Sequence, residues 1–121
     1  MSTQEVADKL VKLCSEGKFH EATETLYADD VVSMEAAAPP GGSRESKGLT
    51  AVKAKGEWWA ANHEVHSIHI DGPIVAGQHF AVTFKLDVTF KQASRRFMME
   101  EVAVYKVVNG KVSYEEFFYS M

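Results

Sequence analysis

Between Thr3 and Glu16 the apolar side chains fall at Val6, Leu10, Leu13 and Cys14, the three-and-four spacing of a helix with one buried stripe. Gly17 follows where a C-cap glycine would stop it. A second helix is predicted over Phe19 to Tyr27, with Phe19, Ala22, Leu26 and Tyr27 inward and Glu21 and Glu24 outward. The β-branched run from Val31 to Glu35 reads as a short strand. Ala36 to Gly48, which contains Pro39-Pro40-Gly41-Gly42, reads as an irregular loop that suits a lid and a passive linker equally. Helical character returns from Leu49 to Asn62, with Val52, Gly56 and Trp59 on one face and Ala51 and Trp58 beside them. A glycine inside a helix costs about 1 kcal/mol against alanine, so Gly56 suggests close packing.

The rest of the chain reads as strand: Glu64 to Asp71, an Asp71-Gly72-Pro73 turn, His79 to Lys91, Phe97 to Val108, and Val112 to Tyr119. Phe80, Val82, Phe84, Leu86, Val88 and Phe90 alternate with polar residues, which gives that strand one buried face. Asn109-Gly110 supplies the two positive-φ residues of a type I′ hairpin, so Val108 is expected opposite Lys111. Continuing that register without interruption sets Tyr105 opposite Tyr114 and Val102 opposite Phe117. One face then carries Met98, Glu100, Val102, Val104, Glu115, Phe117 and Tyr119. The other carries Met99, Glu101, Tyr105, Val107, Val112, Tyr114, Glu116 and Phe118. Both are apolar enough to be covered, and three short helices cover only one. An identical chain is the simplest cover for the second, which predicts a homodimer through Tyr105, Tyr114 and Phe118.

This order of elements resembles the SnoaL-like group of the nuclear-transport-factor-2-like superfamily over nearly the whole chain. The residues that carry the likeness are Gly17 and Phe19 at the helix break, Tyr27-Ala28-Asp29-Asp30-Val31, Gly48 before the third helix, Asn109-Gly110-Lys111-Val112, and Phe117-Phe118-Tyr119. The resemblance implies one α+β domain over residues 1–121, in which a cone-shaped, curved antiparallel sheet wraps around three N-terminal helices and encloses an apolar pocket. Relatives of this kind include ketosteroid isomerases, polyketide cyclases, epoxide hydrolases, dehydratases and proteins that only bind or assemble, so the fold leaves the function open. Ketosteroid isomerase needs a carboxylate base and an oxyanion hole of a tyrosine and a protonated aspartate. Counting from Asp30, the position of the base is held by Glu35. The two donor positions fall at Leu10 and Val102, which argues against steroid isomerisation.

With the sheet oriented as in those relatives, Glu35, Glu100 and Glu115 share an apolar cavity, where burial and like charge prepare one as acid and another as base. The plainer reading places Glu100 and Glu115 at the rim, solvated or paired with Lys106, Arg95 or Arg96. His63 offers a further base or hydrogen-bond partner. The spacing of His63, His66 and His69 sends His66 to the opposite face of a strand from the other two, which argues against a metal site. Tyr27, Trp58, Trp59, Phe80, Phe84, Val102, Phe117 and Tyr119 are candidate ligand-lining residues, although aromatics in such numbers also serve as plain core.

The chain has 121 residues, 45% of them hydrophobic and 25% charged, within the globular range. A formal charge of −4 gives no electrostatic reason to expect nucleic acid or an anionic membrane. Cys14 is the single cysteine, so neither an intrachain disulfide nor a thiolate-rich zinc site is available. With neither a secretion signal nor a membrane span legible, a cytoplasmic location is expected. Phosphate loops, nucleophile elbows and dinucleotide fingerprints are missing from the sequence. The expected activity is therefore cofactor-independent proton transfer on a small, mostly apolar organic molecule, of isomerase, cyclase, dehydratase or hydrolase type, with Glu35 as base. The alternative is a non-catalytic ligand-binding or assembly module.

Overall fold

The computed structural model describes residues 1–120. Helix α1 spans Thr3–Ser15 and opens with a capping box, in which the Ser2 hydroxyl accepts from the Glu5 amide while the Glu5 carboxylate accepts from the Ser2 amide. Its end is a Schellman turn: Gly17, at φ +78°, donates to the Cys14 carbonyl and Lys18 donates to that of Leu13. Helix α2 spans Phe19–Leu26, and α3 spans Leu49–Asn62. Six strands follow the order β2-β1-β6-β5-β4-β3 in one sheet: β1 Tyr27–Met34, β2 Glu45–Lys47, β3 His63–Ala76, β4 His79–Phe90, β5 Arg95–Val108 and β6 Lys111–Phe118. β1 runs parallel to β6 and the other pairs are antiparallel.

The helices pack into the concave side of the sheet. Val6, Ala7, Leu10, Leu13 and Cys14 of α1 meet Phe80, Val82, Phe84, Leu86 and Val88 of β4 in one buried cluster. A side chain such as Phe80, 1% exposed, contributes on the order of 2–3 kcal/mol when removed from water. The alternation along β4 is as its sequence predicts.

Three irregularities bend the long strands, and each departs from the sequence expectation. Asp71-Gly72-Pro73 is a bulge inside β3, between the Asp71–Thr83 and Ile74–Ala81 pairs; the chain reverses later, at Gly77-Gln78. A second bulge lies at His66, so Val65 and Ile68 both face the core while His69 is exposed. The third decides the site. Val107 pairs with Val112 but Lys106 pairs with Tyr114, leaving Ser113 as an extra residue whose hydroxyl donates to the Lys106 carbonyl at 3.3 Å.

The Asn109-Gly110 turn forms with positive φ at both residues and sets Val108 opposite Lys111. The bulge at Ser113 then shifts β6 by one residue against β5, so Val107 and Val112, expected outside, share the inner face with Glu115. Tyr105, expected outside, pairs with Glu115 and is 2% exposed within the core; Glu100 and Val102, expected inside, lie on the outer face. Two smaller corrections concern the middle of the chain. Glu45–Lys47 forms a strand on β1, so residues 36–48 are not wholly irregular. Gly56 has open space where a Cβ would stand, so close packing is not its reason.

Candidate functional site

Strand periodicity aligns the site. Val31, Ser33 and Glu35 alternate onto the inner face at the end of β1, and Glu115, Phe117 and Tyr119 do the same along and just past β6. Ser33 and Glu115 are direct neighbours in the parallel ladder. Glu101, Ala103 and Tyr105 complete the inner wall on β5. From α3, Lys55 reaches in beside Val52 and Trp59, its ammonium 5.3 Å from the centre of the Phe117 ring.

Glu115 is 3% exposed, and both its oxygens are occupied. The Tyr27 hydroxyl donates to Oε1, and Ser33 Oγ donates to Oε2 at 2.7 Å. Lys55 Nζ donates to Ser33 Oγ at 2.6 Å and to Glu35 Oε2 at 2.9 Å. The Tyr119 hydroxyl donates to Glu35 Oε1 at 3.1 Å. A continuous polar chain therefore runs from the buried floor, through serine and lysine, to the half-buried Glu35 carboxylate.

Burial pushes the Glu115 carboxyl up, and the hydrogen bonds from Tyr27 and Ser33 together with the Lys55 charge oppose it. Glu101 stands on the inner wall and is pushed up to about 7, first by burial and then by the charges of Glu35 and Glu115, with Lys55 pulling the other way. Tyr27 and Tyr105 are both raised, by burial and by the Glu115 charge. Tyr119 is pushed up to about 12 by burial and by Glu35.

Around this chain the inward side chains become less buried. Glu35, Lys55, Trp59, His63, Phe97, Met99, Glu101, Phe117 and Tyr119 are all half-buried, so solvent reaches the inner face here. Trp59 stacks on His63 at 4.4 Å, and the His63 ring nitrogen lies 2.9 Å from the Trp59 carbonyl oxygen. Two shallow, open cavities lie elsewhere: about 180 Å³ on the outer sheet face beside Gly72 and Val102, and about 270 Å³ on the exposed side of α3.

Of the residues singled out in the sequence, Glu35, Glu115, Tyr27, Phe117 and Tyr119 come together, with His63 and Trp59 stacked on the half-buried part of the inner face. Phe80 and Phe84 are core; Phe80 stacks on Tyr105 at 4.6 Å. Trp58 is 55% exposed, and Glu100 and Val102 face outward, so these three do not join the cluster. Glu115 is not at the rim, Arg96 pairs with Asp87, and Arg95 lies over Phe97. Sequence reasoning missed Ser33, Lys55 and Glu101. Lys55 had a legible signal, because it sits three residues after Val52 and four before Trp59 on the inward stripe. Glu101 had none, since its side depends on the Ser113 bulge.

Among the described residues there is no group of three or more His, Cys, Asp or Glu side chains placed to hold a metal ion, and no helix long and apolar enough to cross a membrane.

No curated protein matches the chain. A Mesorhizobium loti crystal structure, named both for SnoaL-like polyketide cyclases and for carbohydrate phosphatases, is 41% identical; the match covers 98% of this chain and 100% of that one, with a TM-score of 0.92. A Bacillus subtilis structure named for isomerases is 16% identical over 99% of this chain and 90% of its own, with a TM-score of 0.78. An NTF2-like protein of unknown function from Burkholderia pseudomallei is 19% identical over 99% and 92%, also with a TM-score of 0.78. These last two share the fold: three helices and a six-stranded, curved, unclosed sheet. The model of the SnoaL-like domain matches residues 1–119, and the chain belongs to that family.

Proposed function

We propose that the half-buried part of the inner face binds a small, mostly apolar organic molecule and moves a proton on it without a cofactor. Glu35 is the base and Glu101 the acid. In the step, Glu35 takes a proton as a bond from hydrogen to the bound molecule breaks, and protonated Glu101 delivers its own proton to a second atom of the same molecule. Glu35 then holds a proton and Glu101 has lost one, and exchange with water resets both. The observation that carries this reading is two carboxyls of contrasting surroundings on one inner wall. Glu35 is ion-paired with Lys55 and bonded to Tyr119, whereas Glu101 has a proton affinity near neutrality, where transfer in either direction is efficient. Phe97, Phe117 and Trp59 supply apolar surface beside them.

The names of the relatives include cyclase, phosphatase and isomerase, and the geometry favours proton transfer among these chemistries. Native mass spectrometry of gently purified protein would identify a co-purifying compound. Glu35→Gln should then abolish solvent deuterium incorporation into that compound while leaving it bound; unchanged incorporation would overturn the assignment.

A second reading rests on the outer face, where Ile74, Met98, Val102 and Phe118 are 75%, 54%, 41% and 49% exposed. So much apolar surface on one side of a sheet suits a second copy of the chain, with Tyr114 and Phe118 in the interface. Tyr105 has no part in it. Assembly in this way is compatible with catalysis, and alone would make the protein an assembly module.

A further inference from the structure

We propose that Glu115 is a positioning residue, which acts through Ser33 to hold the Lys55 ammonium where it orients the Glu35 carboxylate. The inference deepens the proton-transfer reading and rests on Glu35 being the reacting group. Lysine ends a flexible stem of four carbons, and α3 is an exposed helix whose single fully buried residue is Val52, so packing alone does little to fix Nζ. What fixes it is two acceptors, Ser33 Oγ and Glu35 Oε2. A serine hydroxyl has one hydrogen to give. Ser33 is free to accept from Lys55 at 2.6 Å because its own hydrogen goes to Glu115 at 2.7 Å. Glu115 receives it as an acceptor that is itself held, on its other oxygen, by the Tyr27 hydroxyl.

The carboxyl thus sets the direction of the Ser33 hydroxyl and leaves its oxygen free to accept from Lys55. The groups that face Glu115 are Cys14 on α1, Tyr27, Ser33 and Glu35 on β1 and its end, Lys55 on α3, and Glu101 and Tyr105 on β5. Among these Lys55 is the cation, and it opposes the burial that drives Glu115 toward its neutral form. Anchor and anchored group therefore stabilise one another's charge.

The test needs no ligand. In the full-length protein, side-chain ¹⁵N NMR would follow solvent exchange of the Lys55 ammonium, and ¹³C carboxyl NMR the titration of Glu101, in wild type, Ser33→Ala, Glu115→Gln and Ser33→Thr. The expected result is ammonium exchange at least about tenfold faster in Ser33→Ala and Glu115→Gln, a raised Glu101 midpoint in Ser33→Ala, where the Glu115 carboxyl is kept and Lys55 leaves its place, and near wild-type behaviour on restoring a hydroxyl in Ser33→Thr. Folded Ser33→Ala protein with wild-type exchange and an unchanged Glu101 midpoint would overturn the proposal, whether or not Glu115→Gln folds. Because the readouts are taken without ligand, a negative result here leaves the proton-transfer reading standing, whereas a negative deuterium experiment removes Glu35 as the reacting group and leaves only the anchoring of Lys55 through Ser33 to be judged by the exchange rates.

Discussion

Replacing Glu101 with glutamine keeps the size and shape of a side chain on the inner face of β5 and removes its charge. In the folded protein the Glu101 carboxyl is raised from its ordinary 4.5 to about 7, chiefly by burial and further by the charges of Glu35 and Glu115. The folded chain therefore holds a proton that the unfolded chain has released, and stability contributed by the neutral form is lost as pH rises between these two values. At 1.36 kcal/mol for each tenfold change in proton affinity, the full cost is about 3 kcal/mol, present above about pH 8 and absent near pH 4.5. Urea unfolding of wild type and Glu101→Gln across that interval isolates the effect, because groups common to both proteins cancel. The variant should be nearly as stable as wild type at the acid end and more stable by up to about 3 kcal/mol at the alkaline end. A difference that does not change with pH, or a variant less stable throughout, would refute the placement of Glu101 in a desolvated wall.

Glu115→Ala leaves the Tyr27 and Ser33 hydroxyls without their acceptor and should cost about 2–4 kcal/mol in chemical unfolding, well above an exposed glutamate substitution such as Glu100→Ala. Gly110→Ala should destabilise by about 1–2 kcal/mol, since its φ is +76° and a Cβ would stand 2.8 Å from the Met1 nitrogen. Gly56→Ala, in an exposed helix position with open space around it, should raise stability by up to about 1 kcal/mol, and the pair can be compared by thermal melting. Phe118→Glu on the outer face should shift sedimentation toward the monomer if two copies meet there; an unaltered dimer would remove Phe118 from the interface.

The three helices, the alternation of β4 and the Asn109-Gly110 turn were legible because each depends on local spacing or on a backbone conformation that particular residues favour. Glu35 was legible by counting from Asp30 in the likeness to ketosteroid isomerase, and Tyr119 from the sheet orientation that the likeness implies. The features that escaped depend on single extra residues. Ser113 carries no strong bulge signature, yet it changes which β5 residues before Lys106 share a face with the β6 residues after Tyr114. Tyr105 thereby moves from an expected interface into the core, and Glu101 replaces Glu100 on the inner wall. Gly72-Pro73 has the composition of a turn, and only the pairing of Ile74 with Ala81 makes it a bulge within a strand. The three-residue strand Glu45–Lys47 is too short to show a period at all. Trp58, adjacent to the inward Trp59, shows the same limit on a helix, where one position is a turn of about 100° and puts a neighbour in solvent.

The most direct test of the proposed site is where small molecules bind. Amide and indole NMR shifts recorded against a panel of compact apolar carbonyl compounds would report it residue by residue. Binding at the half-buried part of the inner face predicts shifts concentrated at Trp59, Phe97, Glu101, Phe117 and Tyr119, weakened when Trp59 is replaced by alanine. Shifts confined to the outer groove around Gly72 and Val102, or none with any member of the panel, would contradict it.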